Sequence, residues 1–299
     1  MRREWTRRDM LVTIGATLTA ACAPSTSLSA PPASEHPSEG DALAKIEAAV
    51  GGRIGVFALD TGSGHFVAHR ADERFALCST FKWALAAGVL ARVDRGALSL
   101  DERIPYGQAD LLEHAPTTRA HVADGSMTVG ALARAAVTQS DNTAANLLLA
   151  KVGGPPGLTE FIRQVGDSVT RIDRNEPALN TIGRGDVRDT TSPHAMAGLL
   201  RSVLCGDVLS RGGRETLIAW LNASETGRDR LRAGFPANWA VGDKTGTGPN
   251  GEVNDCAFVV PPGRAPIVIA SYFSDGPSPL PALNAAHADV GRLVAKRLS

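Results

Sequence analysis

The chain has 299 residues, of which 43% are hydrophobic and 21% charged, a composition typical of a globular protein with one large core or two packed lobes. Lys plus Arg and Asp plus Glu number 31 each, so no net positive charge is available to hold nucleic acid or anionic lipid. Aromatic residues make up only 5% and no basic run is interleaved with them, which argues against a single-strand nucleic-acid binder. We therefore expect a small-molecule partner and no nucleic acid.

Residues 1–22 have the pattern of an export signal. Arginines at positions 2, 3, 7 and 8 precede an apolar stretch that is shorter than the roughly 20 residues needed to cross a bilayer. The string Thr6–Leu11 resembles a twin-arginine signal, and Leu18–Cys22 resembles a lipobox. Two alternatives stay open, namely a lipid anchor at Cys22 or cleavage at a small-residue site with Cys22 incidental. Both predict an exported protein that is periplasmic, secreted or anchored to the cell envelope.

The first predicted elements follow a linker. Residues 23–40 are rich in Pro, Ser and Ala, which predicts a flexible linker. Apolar spacing predicts a helix over Asp41–Val50 with Asp41 as its N-cap, and then a β-hairpin of Arg53–Leu59 and His65–His69. The middle of the chain has helical periodicity with Ser or Thr caps and Gly stops. The helices predicted there are Thr80–Val93, Thr128–Val137, Thr143–Val152, Leu158–Val165, Pro193–Leu204 and Arg214–Leu221.

Strand patterns return near the C-terminus, where Trp239–Thr247, Asp255–Val260 and Ile267–Phe273 precede a last predicted helix, Leu280–Leu298. The most economical architecture is an α/β fold of the α+β type, in which the first hairpin and the late strands form one antiparallel sheet flanked by the terminal helices. An all-helical lobe would be inserted, with the active site in the cleft between the lobes. The expected boundaries are 41–69 with 222–299 for the α/β lobe, and 70–221 for the helical lobe.

Three short strings stand in one order along the chain: Ser79-Thr80-Phe81-Lys82, Ser140-Asp141-Asn142 and Lys244-Thr245-Gly246. Each one alone has an ordinary explanation, such as a helix cap, a surface lysine or a tight bend at a sheet edge. Multiplied residue frequencies put the chance of finding all three in this order below about one in a thousand. The combination therefore indicates a serine acyl-transfer site.

The chemistry of such a site suits these residue types. Ser79 is predicted at the start of a helix, three residues before Lys82, where the positive end of the helix can stabilise an oxyanion. A lysine whose pKa is lowered by burial and a cationic neighbour can be the base that serine requires. Lys244 continues an apolar strand and needs an anionic partner, which a substrate carboxylate would supply. Gly246 permits close backbone approach, and the N–H of Thr247 can complete the oxyanion hole.

With these strings the chain resembles the serine β-lactamases and penicillin-binding proteins. A fourth string, Arg174-Asn175-Glu176-Pro177-Ala178-Leu179-Asn180, resembles the omega loop of class A β-lactamases, which transpeptidases lack. The resemblance covers 41–299. It implies a monomeric enzyme that hydrolyses the amide of β-lactam antibiotics through a serine acyl-enzyme and so confers antibiotic resistance. It also implies that no metal or other cofactor takes part.

The resemblance further implies a role for each matching residue. Ser79 would be the acylated nucleophile and Ser140 the proton shuttle to the departing lactam nitrogen. Lys82 and Glu176 would share the work of the base, and which of them deprotonates the nucleophile stays open. Glu176 would hold the hydrolytic water together with Asn180. The substrate's side-chain amide and its carboxylate would be bound by Asn142, Lys244, Thr245, Gly246, Thr247 and Arg230.

Other positions bear on the same resemblance. Asp189 would close the omega loop as the partner of Arg174. Cys78 matches one half of a cysteine pair that some carbapenem-hydrolysing members bridge, but Gly248 stands at the second position. We therefore expect Cys78 to be a small buried packing residue without a disulfide, and carbapenem hydrolysis is not implied.

Two rival functions stay open at this point. The first is a penicillin-binding enzyme or sensor that is acylated and then stalls, and Glu176 is the residue that would distinguish a hydrolase from it. The second is a catalytically inactive lipoprotein that keeps the scaffold for binding. The intact set of serines, lysines and glutamate in the four strings argues against the second.

Overall fold

A computed structural model describes residues 37–183 and 185–298 of the chain. The predicted export signal, Cys22 and most of the predicted linker lie outside the described residues. The first helix begins at Pro37, so the predicted start was wrong, and Asp41 lies inside the helix instead of capping it. A proline is well suited to the first turn of a helix, because its fixed φ is helical and its missing N–H would have no partner there.

The centre of the fold is a five-stranded antiparallel sheet. The strands of the chain are β1 (Arg53–Asp60), β2 (Phe66–His69), β3 (Phe75–Ala76), β4 (Arg103–Pro105), β5 (Ser126–Thr128), β6 (Thr190–Thr191), β7 (Ala240–Thr247), β8 (Val253–Val260) and β9 (Ile267–Ser274). The sheet has the order β2-β1-β9-β8-β7, so the first hairpin and the three late strands join as predicted. Sequence patterns missed the two small strand pairs β3–β6 and β4–β5, because two or three residues are too few for an alternation to appear.

The described chain also contains nine α-helices. They are α1 (Pro37–Val50), α2 (Phe81–Asp94), α3 (Pro116–Ala120), α4 (Val129–Thr138), α5 (Asn142–Lys151), α6 (Gly154–Gln164), α7 (Pro193–Cys205), α8 (Arg211–Asn222) and α9 (Leu280–Leu298). Four of them begin at a side chain that accepts a backbone N–H of the first turn, namely Thr128, Asp141, Ser192 and Ser210. Every predicted helix is present, and among the α-helices of residues 37–183 and 185–298 only the short α3 was missed. No described helix is both long and apolar enough to span a membrane.

Two hydrophobic cores lie on opposite faces of the sheet, because neighbouring residues of a strand point to opposite sides. Ala270 of β9 belongs to the larger core, which the helices α2 and α4 to α8 cover, whereas Ile269 belongs to the smaller core beneath α1 and α9. All residues from Phe81 to Ala91 of α2 are buried. The start of this central helix is therefore fixed on all sides. The described residues fall in one compact unit, so the two-lobe boundaries stay a prediction.

Candidate active site

Ser79 lies in a single 3-10 turn, Cys78–Thr80, that leads directly into α2. Cys78 has a φ of 44°, a left-handed conformation that a residue with a Cβ adopts only where its surroundings impose it. Gly246 on β7 packs against this turn, since a Cβ at residue 246 would lie 3.0 Å from the Leu77 carbonyl oxygen and 3.2 Å from Ser79 N. The fold thus places the glycine of the third string directly beside the serine of the first.

Lys82 is fully buried beside Ser79 and Glu176. Its Nζ donates to Ser79 Oγ at 2.9 Å and to the Ser140 carbonyl oxygen at 2.8 Å, and it lies 2.9 Å from Glu176 Oε1. The Ser79 hydroxyl in turn donates to Glu176 Oε1 at 3.3 Å. Burial lowers the pKa of Lys82, and the nearby carboxylate of Glu176 acts in the opposite direction. The serine hydroxyl is therefore in contact with two groups that can take its proton.

Ser140 lies between the two lysines of the site. Its hydroxyl oxygen is 3.3 Å from Nζ of Lys82 and 3.1 Å from Nζ of Lys244. The next residue, Asp141, caps α5 with its buried carboxylate, which fixes the loop relative to that helix. Asn142 begins α5, and its side-chain oxygen accepts a hydrogen bond from Lys82. All members of the second string thus have a defined place around Lys82.

Glu176 is buried and held by two asparagines. Asn180 donates to Glu176 Oε2 at 2.6 Å, while Asn146 of α5 donates to the Glu176 carbonyl at 2.9 Å and accepts its N–H at 3.0 Å. At the base of the loop, Arg174 Nε donates to the buried Asp189 at 2.5 Å, so these two residues do pair. Sequence reasoning missed Asn146, because an asparagine inside a helix carries no motif of its own.

Lys244 is fully buried in β7. Besides Ser140, its Nζ contacts the carbonyl oxygen of Thr245 at 2.8 Å. Burial and the positive charge of Lys82 lower the pKa of Lys244 to about 7. The hydroxyl of Thr245 lies 2.6 Å from that of Thr226, a residue that no sequence pattern indicated. This part of the site combines a buried ammonium with hydroxyl groups, which suits an anion.

Arg230 brings a second cation to the same end of β7, and it is only 5% exposed. The guanidinium donates to the carbonyl oxygens of Gly246 at 2.8 Å and Asn254 at 2.7 Å, and to Thr247 Oγ1 at 2.8 Å. Its Nε donates to Asn284 of α9 at 3.0 Å. These fixed contacts direct the guanidinium at the hydroxyl of Thr247, so its charge lies beside the end of β7.

Cys78 is buried and free, as expected, and burial raises the pKa of its thiol. A Cβ at residue 248 would lie 3.0 Å from Cys78 Sγ, so Gly248 does occupy the position facing this cysteine. Within residues 37–183 and 185–298, no group of three or more His, Cys, Asp or Glu side chains is arranged to hold a metal ion. His114 is exposed, and its carbonyl oxygen accepts the N–H of Asn142 at 2.9 Å, at the edge of the site.

Comparisons with known proteins show the family of the chain. The model of the Beta-lactamase enzyme family matches residues 40–298. Beta-lactamase L2 of Stenotrophomonas maltophilia is 49% identical over 252 residues, which is 84% of this chain and 83% of that protein. Carbapenem-hydrolyzing beta-lactamase KPC of Klebsiella oxytoca is 51% identical over 231 residues, covering 77% of this chain and 78% of the relative.

Solved structures of class A beta-lactamases have the same fold as this chain. The ancestral GNCA class A beta-lactamase is 55% identical with a TM-score of 0.84, covering 86% of this chain and 98% of that chain. A beta lactamase from Xanthomonas campestris is 46% identical with a TM-score of 0.85, and the match covers 87% of this chain and 97% of that chain. These matches confirm the predicted fold class. The chain belongs to the class A β-lactamases, serine hydrolases that open the amide of β-lactam antibiotics and so confer antibiotic resistance.

Proposed function

We propose that Ser79 is the acylated nucleophile of this β-lactamase and that Glu176 activates the water that releases the product. The observation that carries the proposal is the triangle formed by Ser79, Lys82 and Glu176, whose polar atoms are joined by contacts of 2.9, 2.9 and 3.3 Å. A nucleophile, its base and a second base for water are the minimum set for making and then cleaving an ester.

In acylation, Ser79 Oγ adds to the lactam carbonyl carbon and its proton leaves to Lys82 or to Glu176. Both acceptors are supported by contact with Oγ, and the lowered pKa of Lys82 favours the neutral amine that a base requires. The backbone N–H groups of Ser79 and Thr247 would hold the developing oxyanion. The close packing of Gly246 against Ser79 N supports this pair, because it brings the end of β7 to the turn that carries Ser79.

Collapse of the tetrahedral intermediate breaks the carbonyl–nitrogen bond, and the departing nitrogen needs a proton. Ser140 would supply it, because its hydroxyl lies between Lys82 at 3.3 Å and Lys244 at 3.1 Å. An ammonium on either side can replace the proton that the hydroxyl gives up. The product of this half-reaction is an ester on Ser79 with the lactam ring open.

Deacylation requires a water at the ester carbonyl. Glu176 and Asn180 would hold it, since one carboxylate oxygen of Glu176 is bonded to the Asn180 amide and the other faces the nucleophile. Glu176 takes a proton from the water as the water attacks. The carbonyl–Oγ bond then breaks, and that proton passes to Oγ, so that the Ser79 hydroxyl and the Glu176 carboxylate are both restored. The buried position of the carboxylate favours this role, because it limits competing contacts with bulk solvent.

The substrates we propose are penicillins and cephalosporins, which carry a carboxylate and a side-chain amide. Their carboxylate would contact Lys244, Thr245, Thr247 and Arg230, a set supported by two buried cations at one end of β7. Asn142 would contact the side-chain amide, with Gly246 leaving room along the strand edge. No cofactor takes part in this scheme.

We also propose that the protein is exported and acts as a monomer. The arginines before the apolar stretch of residues 1–22 support export, and the choice between lipidation of Cys22 and simple cleavage stays open. Fractionation of the producing cell, with and without Cys22→Ser, would separate a lipid-anchored form from a released one.

The proposal is tested by steady-state turnover of a chromogenic cephalosporin with the purified protein. We expect many turnovers per molecule, and none above background for Ser79→Ala. A single stoichiometric burst followed by no further reaction would move the protein to the class that is acylated and stalls. No burst and no turnover would leave a binding protein.

A further inference from the structure

Asn254 lies on β8, behind the residues that carry the nucleophile, and its side chain is fully buried. We name residues 76–80 the nucleophile turn. Asn254 Nδ2 donates to the carbonyl oxygen of Ala76 at 2.9 Å and approaches that of Leu77 at 3.4 Å. In the register of β7 and β8, Asn254 is opposite Gly246, the residue that packs against Ser79 N. One side chain thus reaches the nucleophile turn from the strand next to β7.

A buried carboxamide at this place costs free energy that packing alone does not require. Asn254 Oδ1 has no hydrogen-bond partner among the described residues, so half of the amide is left unsatisfied. A leucine of similar shape would fill the same space without that penalty. The presence of an amide here is therefore explained by the N–H groups of Asn254 Nδ2, whose two contacts are both with carbonyl oxygens of the nucleophile turn.

The nucleophile turn needs such support because its backbone is strained. Cys78 has a φ of 44°, and a conformation of this kind persists only where neighbouring contacts hold it. The Leu77 carbonyl, which starts the peptide joined to Cys78, accepts Thr80 Oγ1 at 2.6 Å in addition to the weaker contact from Asn254. The Asn254 backbone is itself held, since its carbonyl oxygen accepts Arg230 at 2.7 Å.

We infer that Asn254 is a positioning residue that holds the carbonyl groups of Ala76 and Leu77 and so keeps the N–H and the hydroxyl of Ser79 aligned with the substrate carbonyl. The inference rests on the proposed function, because it needs Ser79 as nucleophile and its N–H as an oxyanion donor. Such a residue supports the tetrahedral states of both half-reactions and contributes little to ground-state binding.

The test compares Asn254→Leu with wild type in single-turnover acylation by a cephalosporin and in binding of a boronic acid, which becomes tetrahedral on the serine. We expect acylation to slow by at least about tenfold, the boronic acid to bind more weakly by a similar factor, and KM to change less than about threefold. The control is Ser271→Ala on β9, another fully buried polar residue whose hydroxyl has no described partner. It should match wild type in all three measurements.

An Asn254→Leu enzyme that is acylated within twofold of the wild-type rate would overturn the inference. Should the leucine variant fail to fold, Asn254→Asp keeps the shape, and only its protonated carboxyl can donate to the turn. Its acylation rate relative to wild type should then rise at least fivefold between pH 8 and pH 5, and a constant ratio would contradict us. Wild-type protein that shows neither a burst nor turnover of the cephalosporin would instead refute the proposed function.

Discussion

At the scale of single residues, burial decides the chemistry of the two lysines. Lys82 and Lys244 are both fully buried, and burial is the largest cause of the lowered pKa of each. Their roles differ because of their neighbours. Lys82 contacts Ser79 and Glu176, whereas Lys244 contacts hydroxyl and carbonyl oxygens and forms no ion pair with a described carboxylate. The first is suited to proton transfer and the second to binding an anion.

The pKa of Lys244 predicts the pH dependence of substrate capture. Because the pKa is lowered to about 7, Lys244 in the free enzyme loses its proton as the pH rises through that value. The charge that we propose binds the substrate carboxylate is lost with the proton. We expect kcat/KM to fall above pH 7, mainly through KM, and the fall to move at least one pH unit higher in Lys244→Arg, since arginine stays protonated. Initial rates from pH 5.5 to 9.5 give both profiles.

A matched substrate makes this measurement specific. An ester of the same cephalosporin lacks the carboxylate, so its capture by wild type should not depend on the charge of Lys244. Identical alkaline falls in wild type and Lys244→Arg, with the free acid as substrate, would remove Lys244 from carboxylate binding.

At the scale of elements, the omega loop is a short segment whose two ends are joined by the ion pair between Arg174 and Asp189. Asp189 is fully buried and accepts the backbone N–H groups of Asp173 and Arg174 as well as the Arg174 guanidinium. The Leu77 N–H also donates to the Asp189 carbonyl at 2.9 Å, which ties the loop to the nucleophile turn. The position of Glu176 depends on these contacts of Asp189.

Loss of the ion pair between Asp189 and Arg174 should affect deacylation first. For Asp189→Asn we expect the free energy of unfolding in urea to drop by about 3 kcal/mol, the lower end for a broken buried pair, because Arg174 is 22% exposed and can reach water. The steady state should contain more acyl-enzyme, since Glu176 is displaced while Ser79 and Lys82 are not. The control is Arg188→Gln in the same loop, which removes an exposed cation whose ion pair with Asp186 does not involve Arg174. Equal effects in both variants would contradict the account.

Helix α7 contains a position at which a substitution should raise the stability of the protein. Gly198 lies inside α7, and a Cβ at this position would meet no atom within 4 Å. Alanine forms helix better than glycine by about 1 kcal/mol, so Gly198→Ala should raise Tm by about 2–4 °C and leave the activity unchanged. Scanning calorimetry and cephalosporin turnover would check the two parts.

The contrasting variant is Gly246→Ala on β7. There the new Cβ would lie 3.0 Å from the Leu77 carbonyl oxygen, so the nucleophile turn must move and kcat/KM should fall at least tenfold. A lower Tm in Gly198→Ala, or full activity in Gly246→Ala, would show that the space around these two residues is not as described.

At the scale of the whole molecule, sequence periodicity predicted the sheet and the long helices because burial on one face repeats over many residues. The motifs likewise predicted the groups that converge on Lys82, since each occupies a recognisable string. Asn146, Thr226 and Asn254 could not be found in this way. Each supports the site through one contact between segments that are distant in sequence, and such a contact leaves no local pattern.

The fold explains why the segments that carry the site residues lie together. The central helix α2 is buried along most of its length, so the nucleophile turn at its start is held between β7 and the omega loop. Strand β7 supplies Lys244 from one side, and α5 supplies Asn146 and Asn142 from the other. A site built from three separate supports can be rigid although most of its residues lie at the ends of elements.

The central claim, that an ester on Ser79 is cleaved by a water activated by Glu176, is tested most directly by intact mass and peptide mapping of Glu176→Ala after mixing with a cephalosporin. We predict a stable covalent adduct on the peptide that contains Ser79, while wild type under the same conditions returns to its unmodified mass. Sustained turnover by Glu176→Ala without a detectable adduct would contradict the account.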